Sequence, residues 1–145
     1  MASLDPKMKV LGPYDYSDKG ELNFLFRFGY RFKHIEYSVF LETFDAIGYR
    51  AYGLNANYFF LLEDSKRRFN QWELGLGPGI GIVDRKKINV EGFFFEVNGE
   101  VRYFFNKHLG ISLLENLKHR TDLVIRYNEK RPLRLSGFLG IIYRW

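Results

Sequence analysis

His108 and Ser112 are the nearest approach in this chain to a base beside a hydroxyl nucleophile, and the chemistry such a pair performs is hydrolysis through a covalent intermediate. The imidazole must touch the hydroxyl for that to work. On an extended segment four residues span about 13 Å, so the two cannot meet, and Ser112 is expected to be a small interior residue. Glu96 and Glu100 share one side of a strand with Asn98 between them, the arrangement of an acid/base pair. Arg102 lies on the same side, and neutralising ion pairs are the expected outcome. His34, His108 and His119 fall at turns or strand ends with no zinc-site spacing. Gly75-Leu76-Gly77-Pro78-Gly79 has the glycine content of a phosphate cradle, but no helix follows it and its period is that of a strand. The chain has no cysteine, which excludes thiolate chemistry and disulfides. No catalytic residue, metal or cofactor is expected, and the chain is not expected to be an enzyme.

The segments that carry these residues alternate with period two. From Glu21 to Lys33, one side holds Leu22, Phe24, Phe26, Phe28, Tyr30 and Phe32, and the other holds Asn23, Leu25, Arg27, Gly29 and Arg31. That is a strand with an oily face and a charged face. The pattern recurs at about 34–45, 48–62, 71–82, 90–105, 108–116, 121–128 and 133–145, eight strands in all, with Lys118-His119-Arg120 interrupting after the sixth. Tight turns are expected near Lys33 and at Asn106-Lys107, and solvated loops at Glu63–Arg68 and Glu129–Pro132, none longer than about eight residues. In the fourth strand Trp72, Leu74, Leu76, Pro78, Ile80 and Ile82 alternate with Gly75, Gly77, Gly79 and Gly81. Glycines there make room for large side chains from other strands, and Pro78 predicts a bulge or bend.

With 145 residues the chain forms one domain, expected as a flexible tail over 1–20 and a barrel over 21–145. No window holds the roughly 18 apolar residues of a membrane helix, whereas a strand crosses with about 9–11. The expected fold is all-β, an eight-stranded antiparallel up-and-down transmembrane β-barrel. Its polar faces pool Arg27, Arg31, Glu36, Glu42, Glu73, Glu96, Glu100, Arg102, Arg134 and Arg144, both signs in comparable numbers, as an interior ionic network that fills the lumen. Tyr30, Phe32, Trp72, Tyr103, Phe105, Tyr143 and Trp145 are expected to form aromatic girdles toward both ends. A soluble lipid-binding barrel, with the apolar stripes turned inward, is the rival; so many large side chains exceed a small lumen. The net charge of +5 is spread over turns and polar faces, so anionic lipid headgroups, not nucleic acid, are the expected counterpart. Residues 1–6 have neither a basic nor an apolar signal region, as expected of a processed chain.

The ending Gly140-Ile141-Ile142-Tyr143-Arg144-Trp145 resembles the C-terminal signal of Gram-negative outer-membrane β-barrels, in which a glycine, an aromatic residue and a terminal aromatic residue are read by the barrel assembly machinery. Gly140, Tyr143 and Trp145 occupy those places, and Phe138 departs from the polar residue more usual there. Over about 20–145 the strand pattern is similar to the small eight-stranded group of OmpA transmembrane domains, OmpX and the lipid A deacylase PagL. The resemblance implies location in the bacterial outer membrane, contact with phospholipid and lipopolysaccharide, and assembly by that machinery. A structural or interaction role is expected, with a protein partner meeting the barrel wall or the N-terminal tail. A PagL-like deacylase is the alternative, but the His and Ser two apart on one strand that it requires are not found.

Overall fold

The computed structural model describes residues 2–4, 22–44, 49–62, 71–85, 90–127 and 132–145. Seven long strands run up and down in chain order: β2 (Leu22–Phe32), β3 (Ile35–Phe44), β4 (Tyr49–Leu61), β5 (Gln71–Arg85), β6 (Val90–Phe104), β7 (Leu109–Arg120) and β8 (Leu133–Tyr143). Each pairs antiparallel with the next in one curled sheet. The short β1 (Ala2–Leu4) pairs with Leu22–Phe24 of β2, and Ala2 also pairs with Leu139 of β8. Further along, the first and last long strands approach one another, with the Phe28 and Trp145 rings 5.3 Å apart. Of the expected tail, residues 5–20 lie outside the described residues, as do the loops at 63–70 and 128–131.

The facing follows the alternation. Phe26 and Ile141 are 61% and 76% exposed on the convex side, whereas Glu73 and Arg102, on the concave side, are 1% and 4% exposed. β7 shows the period most plainly, exposed and buried residues alternating along its whole length.

Three expectations are corrected. Where a strand is expected over 121–128, the described residues 121–127 form a short helix, α1 (Thr121–Tyr127). Its stripe was too short to separate a two-residue from a 3.6-residue period. Asp122 in the first turn suits a helix start, and Thr121 Oγ1 anchors it by donating to Phe93 O (2.8 Å) and accepting from Phe93 N (2.9 Å). Leu123 is fully buried, and α1 lies against β6 at Gly92, where a Cβ would come within 2.7 Å of the Asp122 Cβ. The connection between β7 and β8 therefore covers 121–132 and exceeds the expected loop length. Second, Lys118-His119-Arg120 does not interrupt β7, which runs through to Arg120 with Lys118 and Arg120 buried on the concave side.

Pro78 produces no bulge. Pairing of β5 with β6 is continuous through Pro78 and Val97, while pairing with β4 lapses between Asn55–Gly79 and Tyr58–Leu76 and resumes in the same register. A residue without an N–H interrupts a ladder without adding a residue to it. At the Lys33–His34 turn between β2 and β3, Lys33 takes a left-handed φ of 55°. The turn after β6 is held by Asn106 Oδ1, which accepts from the His108 and Leu109 backbone N–H groups, both at 2.8 Å.

The glycines of β5 do create space. A Cβ on Gly75 would sit 2.3 Å from the Phe59 ring, and one on Gly81 would sit 2.5 Å from that of Phe94. Gly75→Val is therefore expected to destabilise the fold by about 1–3 kcal/mol through overpacking. Gly99→Ala, at a site where a Cβ meets nothing within 4 Å, should be neutral or slightly stabilising. Denaturant midpoints of the two variants check the contrast.

Candidate functional site: the ionic interior of the sheet

Read along β6 from Phe104 to Gly92, the concave face is layered. Nearest the C-terminal end of β8, Glu73 accepts from Arg31 (2.7 Å) and from Arg144 (3.3 Å), and the Arg144 guanidinium lies 4.3 Å from the Phe104 ring. Next, Arg102 donates to both carboxylate oxygens of Glu36 (2.6 and 2.7 Å) and to Glu100 (2.9 Å). Glu100 also takes Arg27 at 2.6 Å and the Ser112 hydroxyl. The Arg102 guanidinium stacks 3.9 Å from the centre of Phe59, the ring that Gly75 admits.

A layer of neutral amides follows. Asn98 and Asn116 are cross-strand partners, both fully buried. With its amide oriented to donate to Glu96 Oε1 (3.0 Å), Asn55 also accepts from Asn98 Nδ2 (3.2 Å). Among the described residues Asn57 and the Asn98 and Asn116 carbonyl oxygens have no protein partner, the composition of a hydrated layer.

Below it, Lys118 pairs with Glu42 and lies 3.3 Å from Glu96, its ammonium over the Phe94 ring at 5.1 Å. Arg120 donates to both oxygens of Asp122 (3.0 and 2.6 Å) and lies 4.6 Å from the Tyr49 ring, so α1 contributes the last carboxylate of the stack. Arg31, Arg102, Lys118, Arg120 and Arg144 thus each have a carboxylate and an aromatic ring, the combination that offsets the desolvation of a buried charge, while Arg27 has the Glu100 carboxylate.

Of the ten residues expected inside, Arg27, Arg31, Glu36, Glu42, Glu73, Glu96, Glu100, Arg102 and Arg144 belong to these ion pairs. Arg134 is half-buried and donates to the Leu133 carbonyl oxygen. Lys118, Arg120 and Asp122 were not anticipated. Continuing the inward parity of Gly110, Ser112 and Asn116 by two and four residues finds Lys118 and Arg120; nothing in the strand pattern locates Asp122, because it sits on the helix.

The pair weighed for hydrolysis is not assembled. Ser112 is buried against Glu100, while His108 is exposed at the turn, its Nδ1 2.7 Å from the Arg144 carbonyl oxygen. Glu96 and Glu100 serve separate cation clusters. His34 stacks on Tyr58 and His119 is exposed on the convex side. Among the described residues no group of His, Asp or Glu could hold a metal ion.

The aromatic residues expected at both ends lie at one. Tyr30 and Phe32 lie at the end of β2, Trp72 at the start of β5, Tyr103 at the end of β6 with Phe105 just past it, and Tyr143 at the end of β8 with Trp145 two residues on. Since neighbouring strands run in opposite directions, these ends and starts coincide. Trp72 packs on Tyr103 at 4.7 Å and Tyr103 on Phe105 at 5.2 Å, a belt on the convex side. The convex aromatics at the opposite end are Phe24, Tyr52, Phe93 and Phe95. Comparison with protein-family models, with curated proteins and with solved structures finds no match to the chain.

Arg102→Met strands Glu36 and is expected to cost about 3–5 kcal/mol, because it leaves a buried carboxylate uncompensated. The double variant Arg102→Met/Glu36→Leu should recover most of the loss, since Glu100 keeps Arg27 and Ser112. A double-mutant cycle of unfolding free energies measures both.

Proposed function

We propose that the chain is an outer-membrane β-barrel of the small eight-stranded Gram-negative class, with β1 taking the eighth strand position and a structural or interaction role. One observation carries this reading: among the described residues, exposed large hydrophobic side chains outnumber buried hydrophobic ones about three to one, while paired charges are buried on the inside. Water cannot face such a wall without driving association, whereas hydrocarbon can. The strands of 10–15 residues are long enough to cross. A sheet leaves no unpaired backbone in lipid only when it closes, which is why the β1 pairings with both β2 and β8 matter to the proposal.

The aromatic belt at the C-terminal end of β8 marks one membrane interface, where rings sit half in lipid and half in water. Phospholipid and lipopolysaccharide are the surrounding partners. Gly140, Tyr143 and Trp145 form the signal for the barrel assembly machinery, with Tyr143 and Trp145 exposed on the convex side. The ionic stack occupies the lumen, so the barrel is a scaffold and not an open pore. A soluble lipid carrier would need the apolar stripes on the inside; Phe26 and Ile141 point the other way. The membrane-facing His and Ser of a deacylase are not supplied by His108 and Ser112.

Refolding from urea separates these readings. The proposal expects a folded, heat-modifiable form in micelles or phospholipid vesicles, aggregation in plain buffer, and small or no conductance in planar bilayers. A cooperative monomeric fold in buffer overturns it, steady large conductance contradicts the filled lumen, and loss of an acyl chain from lipid A on incubation establishes the deacylase.

A further inference from the structure

Among the described residues, every charged side chain in the middle of a long strand faces the concave side except Glu115. It lies at the centre of β7, exposed, with Leu113 and Leu117 two residues away on the same face. Its partners in register are Gly99 on β6 and Gly137 on β8. At neither glycine would a Cβ meet any atom within 4 Å. The wall therefore carries a shallow notch three strands wide with a carboxylate at its centre. Among the described residues no donor or cation reaches that carboxylate.

On the membrane-spanning reading, on which this inference rests, the notch lies well inside hydrocarbon. The belt residues Tyr103 and Tyr143 are in register with Ile111 and Leu109, and Glu115 is two further outward positions along β7. An ionisable group without a partner at that depth is costly and is kept for a function. Small residues on both sides let a second backbone approach closely.

We propose that the notch docks a second membrane-embedded polypeptide that presents a lysine or arginine at the depth of Glu115. Lipid headgroups lie at the strand ends and do not reach it. A second copy of this chain is a poorer fit: its described outward side chains bring no cation to mid-strand, since Arg50 sits near the end of β4 in register with Asp84. Two copies would set carboxylate against carboxylate.

The test uses the full chain in phosphatidylcholine vesicles, labelled with a donor dye at Lys107→Cys, which is then its only cysteine. The probes are acceptor-labelled Leu/Ala membrane-spanning peptides with a central lysine or a central leucine. The lysine peptide should give saturable energy transfer with about tenfold tighter binding than the leucine peptide. Glu115→Gln should abolish that difference, and Gly99→Leu, which fills the notch and keeps the carboxylate, should weaken lysine-peptide binding. Equal transfer from both peptides, or a lysine preference that survives Glu115→Gln, overturns the proposal. Self-association without peptide that is lost in Glu115→Gln overturns it in favour of a second copy. Failure of the chain to insert, seen as loss of heat-modifiable migration, overturns the membrane reading and this inference with it; insertion followed by equal transfer overturns this inference alone.

Discussion

One guanidinium held by two carboxylates, Arg102 between Glu36 and Glu100, commits the sheet to its facing. These groups come from β3 and β6, which are not neighbours, so the pairing forms only when the sheet curls with its charged side inward. Once that is done, strand alternation puts the apolar stripes that alternate with the charges on the convex side. The usual order of a folded chain is largely inverted: charged and polar groups share the core with a smaller apolar cluster that includes Phe40, Phe94 and Phe138, and most large hydrophobic groups are the surface. The cost of desolvating the charges is met by pairing them in two clusters, with a neutral asparagine layer between and aromatic rings against most of the cations.

Most of this was legible in the sequence because period two is a strong signal over 10–15 residues. The inward and outward sets of β2 to β6 follow directly from parity. So does the role of the β5 glycines, since Gly75 and Gly81 stand where Phe59 and Phe94 need room. What parity could not show is where a short stripe bends into a helix. At 121–127 the anchoring contacts of Thr121 with Phe93 and of Asp122 with Arg120 are tertiary, and they decide the matter. Lys118 and Arg120 were misjudged for a related reason: three consecutive basic residues resemble a solvated turn until their alternate facing is taken into account. The aromatic belt gathers at one end because every second strand runs in reverse, which a strand-by-strand pattern does not carry.

The arrangement also bears on the proposed function. The interior is occupied by groups that bind one another, Ser112 and the two candidate carboxylates among them, so little there is free to act on a ligand. The surfaces left for interaction are the wall and the two ends. Among the described residues the charges on the wall lie near strand ends, as Arg50, Asp84 and Glu91 do, except for Glu115, an acid at mid-strand between two glycines. On the proposed membrane reading, a filled lumen and one marked position on the wall suit a scaffold that assembles with another membrane component.

The central claim is that the convex face meets hydrocarbon. Spin labels placed one at a time along β7, at positions 109 to 120, test it most directly in reconstituted vesicles. The account predicts that odd positions collide with oxygen dissolved in the lipid and are shielded from a water-soluble relaxation agent, while even positions are shielded from both. Odd positions that collide freely with the water-soluble agent along the whole strand would contradict it.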